Sequence, residues 1–400
     1  RFFGPRRTRE PDLHGSSPAF HPRGMNGPRR LVANHYRTGA TCEFLFKDER
    51  LVSRRRISAD ATLVFGPGFF DLQCNGYAGV DFTHPATLPA EIANAIRAMW
   101  KRGCTHVLPT LITASISQLV DSFNRMNEAI EADEEVRRSV PGFHLEGPFI
   151  SGVDGARGAH PAEHVLAPDP RLWRRLQTAA RGRIRLVTLA PETEGAVPFI
   201  RQLREEGIVV ALGHTMATRE QIVAAVEAGA VLSTHLGNGC PQQLHRHQNP
   251  LFAQLGERHL DASLIADGIH LPPEVFRAFW DAKGPGKTLL ITDAMAAADA
   301  PPGRYSLGSL LVEVGADRIV RHPGTAQLAG SALTMDAAVS NAMAMTGAPL
   351  HDAWESASKR PWKRLCNPAG ARGSFVVARQ TPDALKVHAV FRGNRLLYAL

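Results

Sequence analysis

GFHLEG at residues 142–147, VVALGHT at 209–215, VLSTHLGN at 231–238 and LLITDAM at 289–295 share one layout: a short apolar run that ends on a polar residue. Runs this short, rich in β-branched residues, fit buried strands better than helices. Their ends bring Glu146, His214, His235 and Asp293 to one edge of a sheet. A lone histidine of this kind is more often a hydrogen-bonded core residue than a ligand. The same placement four times over calls for a shared site.

Outward from these segments, GFFDLQCN (68–75), THVLPTLI (105–112), IRLVTLAPE (184–192) and ASLIADGIH (262–270) repeat the layout and bring the strand count to eight. Between them lie stretches with helical spacing, such as PAEIANAIRAMWKRG (89–103), TREQIVAAVEAG (218–229) and PEVFRAFWDAKG (273–284). Several end in Gly, a favourable helix C-cap. Strand and helix alternating eight times predicts an α/β fold, a (β/α)8 TIM-like barrel whose active-site residues collect at the C-terminal ends of the strands. Gln73, Thr110, Glu146, Glu192, His214, His235, Asp267 and Asp293 all fall at such ends.

The flanks differ. Residues 31–65 and 372–400 hold short β-like pieces from both chain ends, expected to form one small β-sandwich domain, with 66–371 as the barrel. The segments from LAGSALTMDAAV onward read as closing helices. Residues 1–30 contain seven Arg against Glu10 and Asp12, a net +5, which leaves +3 of the chain's +8 for the other 370 residues. The basic character is therefore mostly a tail, rich in Pro, Gly and Arg, and expected to be disordered. Met25 precedes the first segment that reads as structure, so the residues before it read as a misassigned start or an expression remnant rather than an RNA-binding arm or transit peptide. Nucleic acid is not the expected partner.

Five cysteines, Cys42, Cys74, Cys104, Cys240 and Cys366, are odd in number and lack a C-x-x-C pair. That argues against a disulfide framework or a thiolate zinc cluster and for a reducing cytoplasm. No apolar run reaches the eighteen or so residues of a membrane span.

Glu146, His214 and His235 suit a catalytic divalent ion, zinc first, with iron, cobalt and manganese also fitting such donors. An amide is a poor electrophile with a poor leaving group, so its hydrolysis needs an activated water, a polarised carbonyl and a protonated amine. One metal supplies the first two, and Asp293 can accept the proton of water and pass it to nitrogen.

PGFFDLQCNGYAGVDF (67–82), GFHLEGPFIS (142–151), TLAPE (188–192), GHTMAT (213–218), THLGNGCPQQLHRH (234–247), IADGIH (265–270), LITDAM (290–295) and LAGSALTMDAAV (328–339) together resemble the N-acetylglucosamine-6-phosphate deacetylase family of the amidohydrolase superfamily. The resemblance implies one metal held by Glu146, His214 and His235, with Asp293 as acid and base. It implies that His160, in RGAH, contacts the substrate carbonyl, that Asn238 and Gly239 meet the sugar phosphate, that Asp267 and His270 belong to the pocket, and that Leu328, Ala329 and Gly330 line the sugar ring. It also implies a homodimer in which a partner loop completes the phosphate site.

The chain departs from this pattern twice. Where many superfamily members carry His-x-His after the first strand, it reads Asp71-Leu72-Gln73-Cys74-Asn75, so a carboxamide and a thiol are expected in place of imidazoles, with Gln73 near the metal's water. The family's phosphate-gripping Arg is displaced within Leu244-His245-Arg246-His247-Gln248-Asn249-Pro250, which leaves Arg246 or His247 to take its place. Arg offers a bidentate fork that His cannot. The expected activity is hydrolysis of the N-acetyl amide of an amino sugar phosphate. The alternatives are another N-acyl sugar or cyclic amide, or a non-enzymatic sugar-phosphate sensor, which predicts a damaged catalytic set.

Overall fold

The structure, a computed structural model, describes residues 29–325, 328–365, 367–381 and 384–400. Most of the expected disordered tail, with Met25, and Cys366 lie outside the described residues. The tail's last two residues do not extend it: Arg29 and Arg30 already open the strand Arg29–His35.

The eight expected strands form one parallel sheet in chain order: Phe69–Cys74, Cys104–Ile112, Phe143–Glu146, Ile184–Leu189, Val209–Leu212, Leu232–Ser233, Asp261–Ile265 and Thr288–Ile291. The eighth meets the first at their C-terminal ends, where Asp293 N donates to Gln73 O at 3.0 Å and Asn75 N to Ala294 O at 2.7 Å. The buried Asp71 carboxylate fastens the same seam by accepting from Thr292 N at 3.2 Å and Thr292 Oγ1 at 2.5 Å. Several strands stop short of their motifs, so GHT, THLG, DGIH and DAM leave the sheet as loops at one rim.

The intervening helices start where local chemistry tells them to. Ser115 accepts from Gln118 N to cap Ile116–Glu131, and Thr218 with Gln221 forms a capping box on Arg219–Ala228, which Gly229 ends. Their buried faces pack around the sheet in a single large core.

Both chain ends do build one small sheet. It takes the strands Arg29–His35, Thr41–Lys47, Arg50–Arg56, Leu63–Pro67, Ser374–Gln380, Leu385–Arg392 and Arg395–Ala399 into a closed barrel. Opposite walls face each other across Phe44, Phe65, Val377 and Phe391, as the layers of the expected sandwich would. The edges are joined rather than open: Leu63–Pro67 pairs with both the first strand and Ser374–Gln380, and Arg50 pairs with Arg395. Closure removes unpaired edge groups.

Arg392 ties this sheet to the larger barrel. Its guanidinium donates to the Glu135 carboxylate at 2.9 Å, to Thr105 O at 2.6 Å and to Ser139 Oγ at 2.7 Å.

A three-stranded sheet, Gly303–Leu307, Leu310–Val314 and Val320–Arg321, follows the eighth barrel strand and was not expected. Its strands are short and interrupted by Gly and charged residues, and they bury Leu307, Val312, Val314 and Val320 against Ile112, Met295 and Ala329. The closing helices follow as expected, at Met335–Thr346, Leu350–Ser356 and Lys359–Arg364. No helix among the described residues is long and apolar enough to cross a membrane.

His106 is buried against Phe70 and Trp362, with Nδ1 2.9 Å from Thr105 Oγ1. Burial, then the charge of Arg392, pushes its pKa down to about 3. The unfolded chain takes up a proton near pH 6.5 that the folded chain refuses until about pH 3, so this group costs stability as pH falls through that window. The slope is at most about 1.4 kcal/mol per pH unit. Denaturant midpoints measured at about pH 7.5 and about pH 5 should therefore lie closer together in His106→Gln than in the wild type. An unchanged gap would remove His106 as a source of acid sensitivity.

Candidate metal centre and active site

Glu146 ends the third barrel strand, and the loops after the fifth, sixth and eighth carry His214, His235 and Asp293. All three of these loop residues have positive φ, 50°, 27° and 48°. L-residues avoid this region at a cost of order 1–3 kcal/mol. Backbone bonds hold them there: Ser151 N donates to His214 O, Asn238 N to His235 O, and Ser331 N to Asp293 O.

The three expected ligands meet. His235 Nε2 lies 2.9 Å and His214 Nε2 3.3 Å from Glu146 Oε1, and one donor atom from each residue falls within 4.8 Å of the others. A tetrahedral zinc with ligands at 2.0–2.1 Å sets its donors about 3.3 Å apart, so the cluster needs little rearrangement to accept a cation. The donor set is two nitrogens and a carboxylate, and no lysine or arginine among the described residues pairs with Glu146. All three are buried, at 2%, 7% and 3% exposure. His214 Nδ1 donates to Ala156 O at 2.9 Å, which turns Nε2 toward the cluster. His235 Nδ1 has no partner among the described residues.

Burial would raise the Glu146 carboxyl, but hydrogen bonds from His214 and His235 outweigh it and hold it well below the usual range. Asp293 is pushed up by burial first and by the Glu146 charge next. A divalent cation held by Glu146, His214 and His235 would favour the ionised form of both carboxyls.

Asp293 is only partly buried, and two carboxamides fix its orientation. Gln73 Nε2 donates to Asp293 Oδ1 at 3.1 Å and to Glu146 Oε1 at 2.8 Å, and Asn75 Nδ2 donates to the same Asp293 Oδ1 at 2.8 Å. Oδ2 stays free of both. This corrects the expected carboxamide and thiol. Residues two apart on a strand share a face, so Asn75 stands beside Gln73 while the Cys74 thiol lies buried on Gly76 O. Asn75 was missed, although the strand period alone pointed to it.

His160 reaches the cluster. Its Nδ1 accepts from Thr113 N at 3.3 Å, so Nε2 carries the hydrogen, 3.2 Å from His214 Nε2. Burial, then neighbouring His214, lowers its pKa to about 3 and keeps it neutral. Thr113, which also meets Nδ1 through Oγ1 at 2.8 Å, had no sequence signal.

The remaining expected residues divide. Gly239 packs on the His214 ring: at φ +61° an added Cβ would lie 2.9 Å from His214 Nδ1. Asn238 closes the turn, with both its backbone N and Nδ2 on His235 O. Asp267 is consumed in orienting His270, taking Nδ1 at 2.6 Å and two backbone N–H groups at 2.8 Å. Leu328 bridges to Arg321, Ala329 N donates to Val320 O, and Gly330 lies against Met295, so this stretch is welded to the unexpected three-stranded sheet. Arg246 and His247 are exposed, and neither hydrogen-bonds to the cluster among the described residues. Thr110 and Glu192 serve structure: Thr110 Oγ1 accepts from Cys74 N, and Glu192 accepts from Met216 N.

No family model matches the chain. Among curated proteins it is 32% identical over 372 residues to the N-acetylglucosamine-6-phosphate deacetylase of Bos taurus, covering 89% of this chain and 88% of the relative. It is 34% identical over 309 residues to the N-acetylgalactosamine-6-phosphate deacetylase of Escherichia coli O157:H7, covering 77% and 80%. The solved structure of a Mycobacterium smegmatis N-acetyl-D-glucosamine-6-phosphate deacetylase variant, in complex with N-acetyl-D-glucosamine-6-phosphate, superimposes with a TM-score of 0.79 at 31% identity, covering 92% of this chain and all of that one. At this identity and coverage the chain belongs to the N-acetylglucosamine-6-phosphate deacetylase family of the amidohydrolase superfamily.

Proposed function

We propose that the protein hydrolyses the acetyl amide of N-acetylglucosamine 6-phosphate to glucosamine 6-phosphate and acetate. The observation that carries this reading is the meeting of Glu146, His214 and His235 beside an Asp293 held through Oδ1. The intact set argues against a non-enzymatic sensor, and the relatives' names argue for an amino sugar phosphate over other N-acyl or cyclic amides.

A divalent cation held by Glu146, His214 and His235, zinc by preference, supplies water acidity at neutral pH and withdraws charge from the acyl oxygen. Asp293 takes a proton from the attacking water on Oδ2, because Gln73 and Asn75 occupy Oδ1. It then delivers that proton to the departing nitrogen. His160 offers its Nε2 hydrogen to the acyl oxygen as negative charge develops there. Gly239, Asn238, His270 and the stretch Leu328, Ala329 and Gly330 form the surrounding walls, and Asp267 orients His270.

The reading extends to a homodimer in a reducing cytoplasm. The exposed loop bearing Arg246 and His247 is free to reach a second copy, where either can meet the phosphate, and Cys42, Cys74, Cys104 and Cys240 are all unbridged. The chain then divides into a small β unit from 31–65 and 372–400 and a hydrolase unit from 66–371.

Asp293→Asn should keep its metal and lose about a hundredfold to ten-thousandfold in kcat; retained turnover would remove Asp293 from the mechanism. Chelation should abolish activity and a divalent ion restore it, while Glu146→Gln should emerge from purification with little metal by elemental analysis. Asn75→Ala should lower kcat by about tenfold to a hundredfold with KM and metal content unchanged; a change confined to KM or to metal content would refute its hold on Asp293. On a panel of N-acetylglucosamine 6-phosphate, its galactosamine counterpart and free N-acetylglucosamine, the first should give the highest kcat/KM. A preference for the unphosphorylated sugar would overturn the substrate.

A further inference from the structure

A cleft of about 860 Å³ opens between the small closed sheet and the helices Leu350–Ser356 and Lys359–Arg364. It lies at the opposite end of the barrel from the metal cluster. Its wall includes Gly66 and Pro67, just before the first strand, and Gly286, just before the eighth, whereas the site residues end or follow their strands. At about 3.3 Å per residue, strands of this length separate the two ends by roughly 15–20 Å.

The lining is strongly one-signed. Arg54, Lys359, Arg360, Lys363 and Arg372 face Glu355, the one carboxylate among the lining residues. Glu355 is already engaged by three donors, accepting on Oε1 from Tyr36 at 2.8 Å, Arg37 at 2.9 Å and Lys359 at 3.1 Å. Arg360 is likewise spent on Asp352. Arg54, Lys363 and Arg372 have no anionic partner among the described residues.

Arg54 is also preorganised, its guanidinium held 4.8 Å from the Phe65 ring centroid. His35 adds a neutral donor: its Nδ1 accepts from Thr38 N at 3.2 Å, so Nε2 bears the hydrogen. Burial, followed by the charges of Lys359, Arg54 and Arg37, lowers its pKa, as a cleft of uncompensated positive potential requires. Phe65 and Phe375 supply apolar wall. Cations without counter-charges, a fixed guanidinium and an aromatic wall within the size range of small-molecule pockets together describe a receptor for an anion with a flat or apolar body.

We propose that this cleft is a second ligand site, separate from the hydrolytic centre, that binds a multiply charged phosphate compound through Arg54, Lys363 and Arg372. It stands on the cleft alone and does not depend on the substrate assigned to the metal cluster.

The test is calorimetric titration of the metal-loaded protein with inorganic pyrophosphate and, separately, with ATP, on wild type and on Arg54→Ala/Lys363→Ala/Arg372→Ala. Affinity for at least one probe should weaken tenfold or more in the triple variant, while deacetylation and melting temperature stay at wild-type values. Tighter binding of ATP assigns the site to nucleoside phosphates and engages the aromatic wall; equal binding assigns it to the phosphate groups alone. Either ordering sustains the site. If the triple variant melts early, the exposed single variants Lys363→Ala and Arg372→Ala carry the test, each expected to weaken binding about threefold. Absence of binding to the wild type, or binding that the substitutions leave unchanged, overturns it.

Discussion

A carboxylate cannot be buried bare, and Glu146 is almost wholly shut off from solvent. Moving such a charge out of water costs several kcal/mol unless partners repay it. The partners here are two imidazoles and one carboxamide rather than a lysine or arginine. An ammonium or guanidinium would settle the charge permanently. Imidazoles settle it in a way that a divalent cation can take over, because each keeps a nitrogen lone pair for the metal once its proton is gone. Partners that can give up a proton suit the cluster to hold a cation where a lysine or arginine would make a permanent salt bridge.

The rest of the rim serves that cluster. Three of its residues sit in left-handed backbone, conformations that persist only where the surroundings over-determine them. The seam between the first and eighth strands supplies much of that determination: Asp293 is held through its backbone by Gln73 and through its side chain by Gln73 and Asn75. The first strand and the residue after it therefore position both Asp293 and, through Gln73, the Glu146 carboxylate beside it. Below the rim, His144, Thr188 and Thr234 form a hydrogen-bonded layer at 2.8 and 2.7 Å, which keeps the polar floor satisfied and rigid.

The two ends of the barrel carry opposite chemistry. At the rim, charges are matched within a buried network. At the other end, the joint with the small sheet gathers five basic side chains, of which Arg54, Lys363 and Arg372 find no carboxylate among the described residues. The joint itself leans on Arg392, which is buried and gives both terminal nitrogens to Glu135, Thr105 and Ser139, acceptors built in at that point of the fold.

Local pattern was enough for the barrel strands, because apolar runs of this length bounded by turns have few other homes, and enough for Glu146, His214, His235 and Asp293, because each terminates such a run. It set Asn75 beside Gln73 but not against Asp293, a contact made only across the closing seam, and it gave no sign of Thr113, whose task depends on a histidine 47 residues away. The three-stranded sheet escaped notice because Gly303, Arg304, Gly308, Glu313 and Gly315 break up its apolar pattern, and the closure of the small sheet because pairing between chain ends leaves no mark on either. What sequence by itself determined is which side chains stand at strand ends, a consequence of period and length along one segment. What only tertiary structure decided is which of them touch, because distance across a closed sheet is set by the register of all eight strands at once.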